Sequence, residues 1–84
     1  MARVLVMQEM EIEDAERPAI LEAARARQDI AKRLGCNFWL FEEQDADRFV
    51  QFIEAPDRKT LLKALVAIAP GHEHYPLMHE VELH

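Results

Sequence analysis

Cysteine is nearly absent. The single Cys36 excludes an internal disulfide framework and any multi-cysteine zinc or iron–sulfur site. Positive charge is also scarce: ten Lys and Arg against sixteen Asp and Glu leave a net charge of −6. Nucleic-acid contact needs concentrated Lys and Arg, so that balance argues against a DNA- or RNA-binding surface. No long hydrophobic run occurs. The longest, Ala64 to Ala69, falls far short of the ~20 residues a membrane span requires. The N-terminal MARVLVMQEM turns acidic too soon for a signal peptide. No Gly-rich phosphate loop, nucleophile elbow or Cys-x-x-Cys pair is found. What remains is 84 residues, half of them apolar and 31% charged, which describes one cytoplasmic domain spanning 1–84.

Apolar residues alternate from Arg3 to Ile12 as in a strand, with Val4, Val6, Gln8, Met10 and Ile12 on one side. Leu5, Met7, Glu9 and Glu11 take the other. Asp14 is a candidate cap for a helix whose first turn tolerates Pro18, and acids near its start suit the macrodipole. From Ala19 to Leu34 the period is helical, and Ile20, Ala23, Ala24, Ile30, Ala31 and Leu34 form the stripe. Gly35 supplies the stop. Cys36 to Glu42 predicts a second strand with Cys36, Phe38 and Leu40 on one face and Asn37, Trp39 and Phe41 on the other. Arg48 to Glu54 predicts a third, joined to the second as an antiparallel hairpin. Asp57 caps a second helix carrying Leu61, Leu62, Leu65, Ile68 and Ala69, which ends at Pro70-Gly71. His74 to Leu83 predicts a fourth strand.

The order β-α-β-β-α-β predicts an α+β, ferredoxin-like fold: a four-stranded antiparallel sheet with two helices on one face. The opposite face is then bare and carries large apolar side chains, either the Trp39/Phe41 set or the Phe38/Leu40 set. At roughly 25 cal/mol per Å² such area is not left in water, and face-to-face pairing with a second copy covers it.

Element order, the Gly35-to-Glu43 hairpin strand and the Arg48-to-Asp57 segment together resemble the dimeric α+β barrel superfamily. Within it, the chain resembles the small antibiotic-biosynthesis-monooxygenase-like domains. The resemblance covers nearly the whole chain and implies a homodimeric barrel with a small-molecule cavity. Its activities include cofactor-independent oxygenation of polycyclic phenols, haem degradation and lactone isomerisation. The oxygenase branch lines its cavity with Asn, Trp and Arg, residue types matched here by Asn37, Trp39 and Arg27. The haem-degrading branch uses a helical His, and no His lies on either predicted helix.

These residues define the candidate site. Arg27 projects into the middle of the first helix's apolar stripe, so it escapes to an edge, pairs with a sheet carboxylate such as Glu9 or Glu11, or faces a ligand cavity. Asn37 and Arg27 would orient an oxygen, and His79, amid Leu77, Val81 and Leu83, would move a proton. Trp39, Phe41 and Phe38 would pack on substrate. For each, the alternative is ordinary packing: Trp39 as dimer core, Asn37 bonded to a neighbour, His79 a hydrogen-bonded interface residue. His72 and His74 have a spacing compatible with a metal, but no third ligand is fixed, so no metal and no cofactor are expected. Cys36 is expected to be a buried, unreactive thiol. The function expected is a homodimer binding a small apolar or aromatic molecule, as a monooxygenase or isomerase. The alternative is a non-catalytic dimeric module.

Overall fold

The computed structural model describes residues 3–11, 13–43, 47–68 and 76–83. Its elements follow the expected order: β1 (Val4–Glu11), a 3-10 turn (Asp14–Glu16), α1 (Arg17–Arg33), β2 (Asn37–Glu42), β3 (Arg48–Ala55), α2 (Arg58–Ile68) and β4 (Met78–His79). The strands form one sheet in the order β2-β3-β1-β4, with every neighbouring pair antiparallel. The fold is ferredoxin-like α+β.

β3 sets the sides. Phe49, Gln51, Ile53 and Ala55 are buried while the residues between them are only partly covered. Since side chains alternate across a strand, the odd positions of β3 face the helices and the even ones face away. Register transmits this parity to the neighbours: Val6 and Phe38 both lie opposite Ile53 and share its buried side. Leu61, Ala64 and Leu65 of α2, with Ala24 and Ala31 of α1, complete the core on that face. α1 contributes only alanines to the fully buried set, so its backbone can approach the sheet closely.

Both helix signals at Gly35 and Asp57 are realised. Gly35 sits at φ +80°, with its N–H bonded to Lys32 and that of Cys36 bonded to Ala31 at 2.8 Å. This is a Schellman motif, which satisfies carbonyls left free at the end of α1. At the start of α2, the Thr60 N–H donates to Asp57 Oδ1 at 2.7 Å, the usual capping geometry.

Two expectations are corrected. Asp14 does not cap α1; it opens the 3-10 turn, and Glu16 occupies the cap position without a side-chain hydrogen bond. Pro18 in the first turn fixes φ there and lacks the N–H that a cap would serve. The fourth strand, expected over His74–Leu83, is only Met78–His79 within the described residues, and His74 lies outside them. Leu5 pairs with Met78; continued two residues further, that register would set Pro76 opposite Met7, where it has no N–H to donate. Beyond the Glu80 N–H bond to Arg3, Val81 and Leu83 are exposed at 67% and 90% and belong to no strand among the described residues.

Two measurements test this account. Leu61→Ala, at a fully buried position, lowers unfolding stability by about 2–5 kcal/mol in urea titration. The Thr60 amide holds the Asp57 carboxyl below its ordinary value. A carboxyl depressed in the folded state contributes stability that is present above its unfolded value and lost as pH falls. Asp57→Ala therefore lowers the melting midpoint at pH 7, and the gap from the parent narrows as pH falls below 3.8.

Candidate functional site

The face turned away from the helices is mostly apolar. Register places Trp39, Phe52 and Met7 in one row across β2, β3 and β1, with Phe41 and Val50 beside them. Phe41 meets Phe52 edge to face, with centroids 5.6 Å apart. Trp39 is 42% exposed, Phe41 56%, Met7 41% and Met78 42%. Each large side chain carries about 150–250 Å² of surface. The belt thus presents a few hundred Å² of apolar area, the size at which exposed patches on soluble proteins carry function.

Both ends of this belt are polar and internally paired. At one end Glu54 lies in the row Asn37–Glu54–Leu5–Met78. Its carboxylate receives Arg3 Nη1 at 3.2 Å and Asn37 Nδ2 at 3.2 Å, both on Oε1, and its side chain is only 15% exposed. Arg3 Nε also lies 3.6 Å from Glu80. The hydrogen bond to Glu54, followed by its charge, raises the Arg3 guanidinium above its ordinary value. Arg3, Leu5, Glu54, Met78, His79 and Glu80 surround a cleft of about 390 Å³. At the other end Arg48 lies 3.5 Å from both Glu9 and Glu43.

The helix side is different in character. Arg27 is half-buried on α1, and its Nε has no hydrogen-bond partner among the described residues. Burial pulls this guanidinium below its ordinary value. Glu9 and Glu11, the carboxylates considered for it, are exposed and share the outer face with Leu5 and Met7. They cannot pair with Arg27 through the sheet. Gln51, 3% exposed, is a second buried polar residue on this side, and its Oε1 is likewise unpartnered. Arg17 takes its own carboxylate, Glu42, at 2.6 Å and lies over the Phe49 ring. The hydrogen bond from Arg17 holds the Glu42 carboxyl below its ordinary range.

The sequence-derived candidates therefore fall into two groups. Asn37, Trp39 and Phe41 share the outer face, and the Asn37 amide is engaged by Glu54. Phe38 and Arg27 belong to the helix side, where Phe38 is core at 6% exposure. His79 stands opposite Val4, hence on the helix side of that sheet edge; it is exposed and borders the cleft. Sequence reasoning missed Glu54, Arg3 and Gln51. Gln51 had a signal: it interrupts Phe49 and Ile53 on one strand face, and Gln8 opposite it interrupts Val6 and Met10. Glu54 had none in its own strand, because its partners come from β2 and the approach to β1.

Cys36 is buried, and desolvation, then the Asp57 charge, raises its thiol above the ordinary value. That environment disfavours a nucleophilic thiolate. Among the described residues no cluster of three or more His, Cys, Asp or Glu could hold a metal ion. His72, His74 and His84 lie outside those residues. No described helix is long and apolar enough to cross a membrane. No protein-family model, curated protein or solved structure matches the chain.

An acceptor buried without a partner costs about 1–3 kcal/mol of desolvation. Gln51→Leu removes that acceptor at similar volume, so it raises the urea midpoint relative to the parent. A lower midpoint would show that the Gln51 amide is making bonds the fold needs.

Proposed function

We propose that the protein works as a homodimer joined through its outer sheet faces, and that the enclosed space holds a small, largely apolar or aromatic molecule. The observation that carries this reading is the belt of Trp39, Phe41, Met7 and Met78, each more than two-fifths exposed. Apart from exposed Glu11, the strand charges at its ends are paired within the chain: Arg3 with Glu54 and Glu80, Arg48 with Glu9 and Glu43. A surface of that kind offers a partner apolar area rather than unpaired charge. A two-fold dimer meets it with the same apolar patch. The single buried Cys36 fits a reducing, cytoplasmic setting. The resemblance to antibiotic-biosynthesis-monooxygenase-like domains points to oxygenation or isomerisation without a resident cofactor as the reaction class.

A non-catalytic dimeric module is the second reading. It is favoured by one observation: Asn37 lies on the outer face and Arg27 on the helix side, so the expected polar set does not converge within one chain.

Sedimentation at micromolar concentration gives a dimer, with Trp39 emission shifted to the blue. Trp39→Glu places a charge in the belt and gives a folded monomer with unchanged far-ultraviolet dichroism. A parent protein that sediments as one subunit with hydrated Trp39 emission removes the proposal. Native mass spectrometry separates the two readings: a dimer that retains a small molecule supports the ligand-binding one, and an empty dimer that binds no aromatic probe supports the module.

A further inference from the structure

We propose that the cleft between the end of α1 and the start of α2 binds a small phosphate monoester, held by Arg33, Lys59 and Lys63. This site lies in the helix layer and stands independently of the ligand and the dimer assigned to the outer sheet face.

Positive charge is scarce in this chain and unevenly placed. Half of its ten Lys and Arg, namely Lys32, Arg33, Arg58, Lys59 and Lys63, fall in the last turn of α1 or the first two turns of α2. Arg3, Arg17 and Arg48 each hold a carboxylate. Among the described residues no ion pair involves Arg33, Lys59 or Lys63. With Leu34 and Thr60 these three line a cleft of about 350 Å³, and no carboxylate is among its lining residues. Two acids adjoin it in sequence. Asp29, one helical turn before Arg33, makes no ion pair with it, and Asp57 accepts the backbone N–H groups of Lys59 and Thr60 as the cap of α2.

This arrangement runs against local stability. The first turn of a helix carries positive partial charge and favours acids, yet α2 opens with Arg58-Lys59 and carries no acid along its length. Arg33 suits the negative end of α1, but the meeting of the two helices sets it against the cations of α2. Like charges around one cleft repel one another. Local choices that contradict the stability of the fold are expected where binding requires them. An anion seated among these side chains removes both the repulsion and the conflict with the helix dipole.

The chemistry of the cleft narrows the ligand. Three cations exceed what one carboxylate neutralises, whereas a phosphate monoester carries about −1.5 to −2 and three acceptor oxygens. The fork of Arg33 can take two of those oxygens, and the lysines supply point charges. Because Asp57 already occupies the Lys59 and Thr60 amides, side chains rather than the helix end hold the anion. The cleft is larger than a phosphate group and falls within the size range of small-molecule pockets. Leu34 and the lysine stems offer apolar contact to the body that carries the phosphate. Trp39 and Phe41, the exposed aromatics suited to a lipid surface, lie on the other face of the sheet. The net charge of −6 opposes a nucleic acid.

Phenyl phosphate, inorganic phosphate and benzoate are titrated into the full chain at fixed ionic strength, with amide chemical shifts reporting position and affinity. Phenyl phosphate binds most tightly and benzoate most weakly, and the shifts centre on residues 33–35 and 59–63. Lys63→Gln weakens phenyl phosphate about tenfold, as expected for one charged contact. It leaves the melting midpoint of the free protein unchanged or higher, where a structural role would lower it. Arg33→Gln gives the same loss. Arg25→Gln removes an exposed cation of α1 outside this cleft and leaves the affinity unchanged. No shift with either phosphate, shifts centred elsewhere, benzoate or inorganic phosphate binding as tightly as phenyl phosphate, or an equal loss in Arg25→Gln each overturn the assignment. So does binding confined to polyuridylate or to phosphatidic acid vesicles, which makes the cleft a nucleic-acid or lipid contact instead. The titration of the parent decides even if a variant does not fold.

Discussion

The alternation of β3 is the constraint on which the rest of the molecule depends. Eight residues in extended conformation send Phe49, Gln51, Ile53 and Ala55 beneath the helices and Arg48, Val50, Phe52 and Glu54 to the open side. A shift of one residue would invert every neighbour's assignment, so burial of Ile53 and Phe49 fixes more than their own positions. β3 pairs along its length with both β1 and β2, and parity passes outward from it. Glu54 owes its contact with Asn37 and Arg3 to that register, and so does the placement of Trp39 beside Phe52.

Much of this was legible in the sequence, for reasons that differ by element. The alternation in Arg48–Ala55 and the punctuation at Gly35 and Asp57 are local, each carried by a few residues and a single backbone requirement, and local chemistry suffices to read them. The fourth strand was overestimated because apolar alternation at Leu77, Val81 and Leu83 outweighed Pro76, which cannot join a ladder and stands where β4 would have continued. The site was only half legible. That Asn37, Trp39 and Phe41 share a face follows from one strand alone. That Glu54 is the residue Asn37 serves, and that Glu9 and Glu11 cannot reach Arg27, depends on which strands are neighbours and in which register.

Arg27 and Gln51 show a different relation between sequence and stability. Both are polar residues at positions where packing would favour apolar ones, and each leaves one buried atom without a partner among the described residues. Such atoms are destabilising, and folds that keep them forgo stability that a leucine or methionine would supply. The core around them compensates with residues that demand little room: Ala24, Ala31, Ala55 and Ala64 let helices and sheet close tightly around Phe38, Ile53, Leu61 and Leu65.

The brevity of β4 has a consequence for how copies of this chain can meet. Past Leu5, no described strand pairs with β1 on the β4 side, and an edge exposed there would invite a further strand to add by backbone hydrogen bonds. That stretch carries Glu9 and Glu11. A second copy adding antiparallel there would bring acid against acid, and like charges directly opposite weaken such a ladder. Wherever that edge is exposed, two glutamates weigh against runaway polymerisation and lateral growth into fibrils.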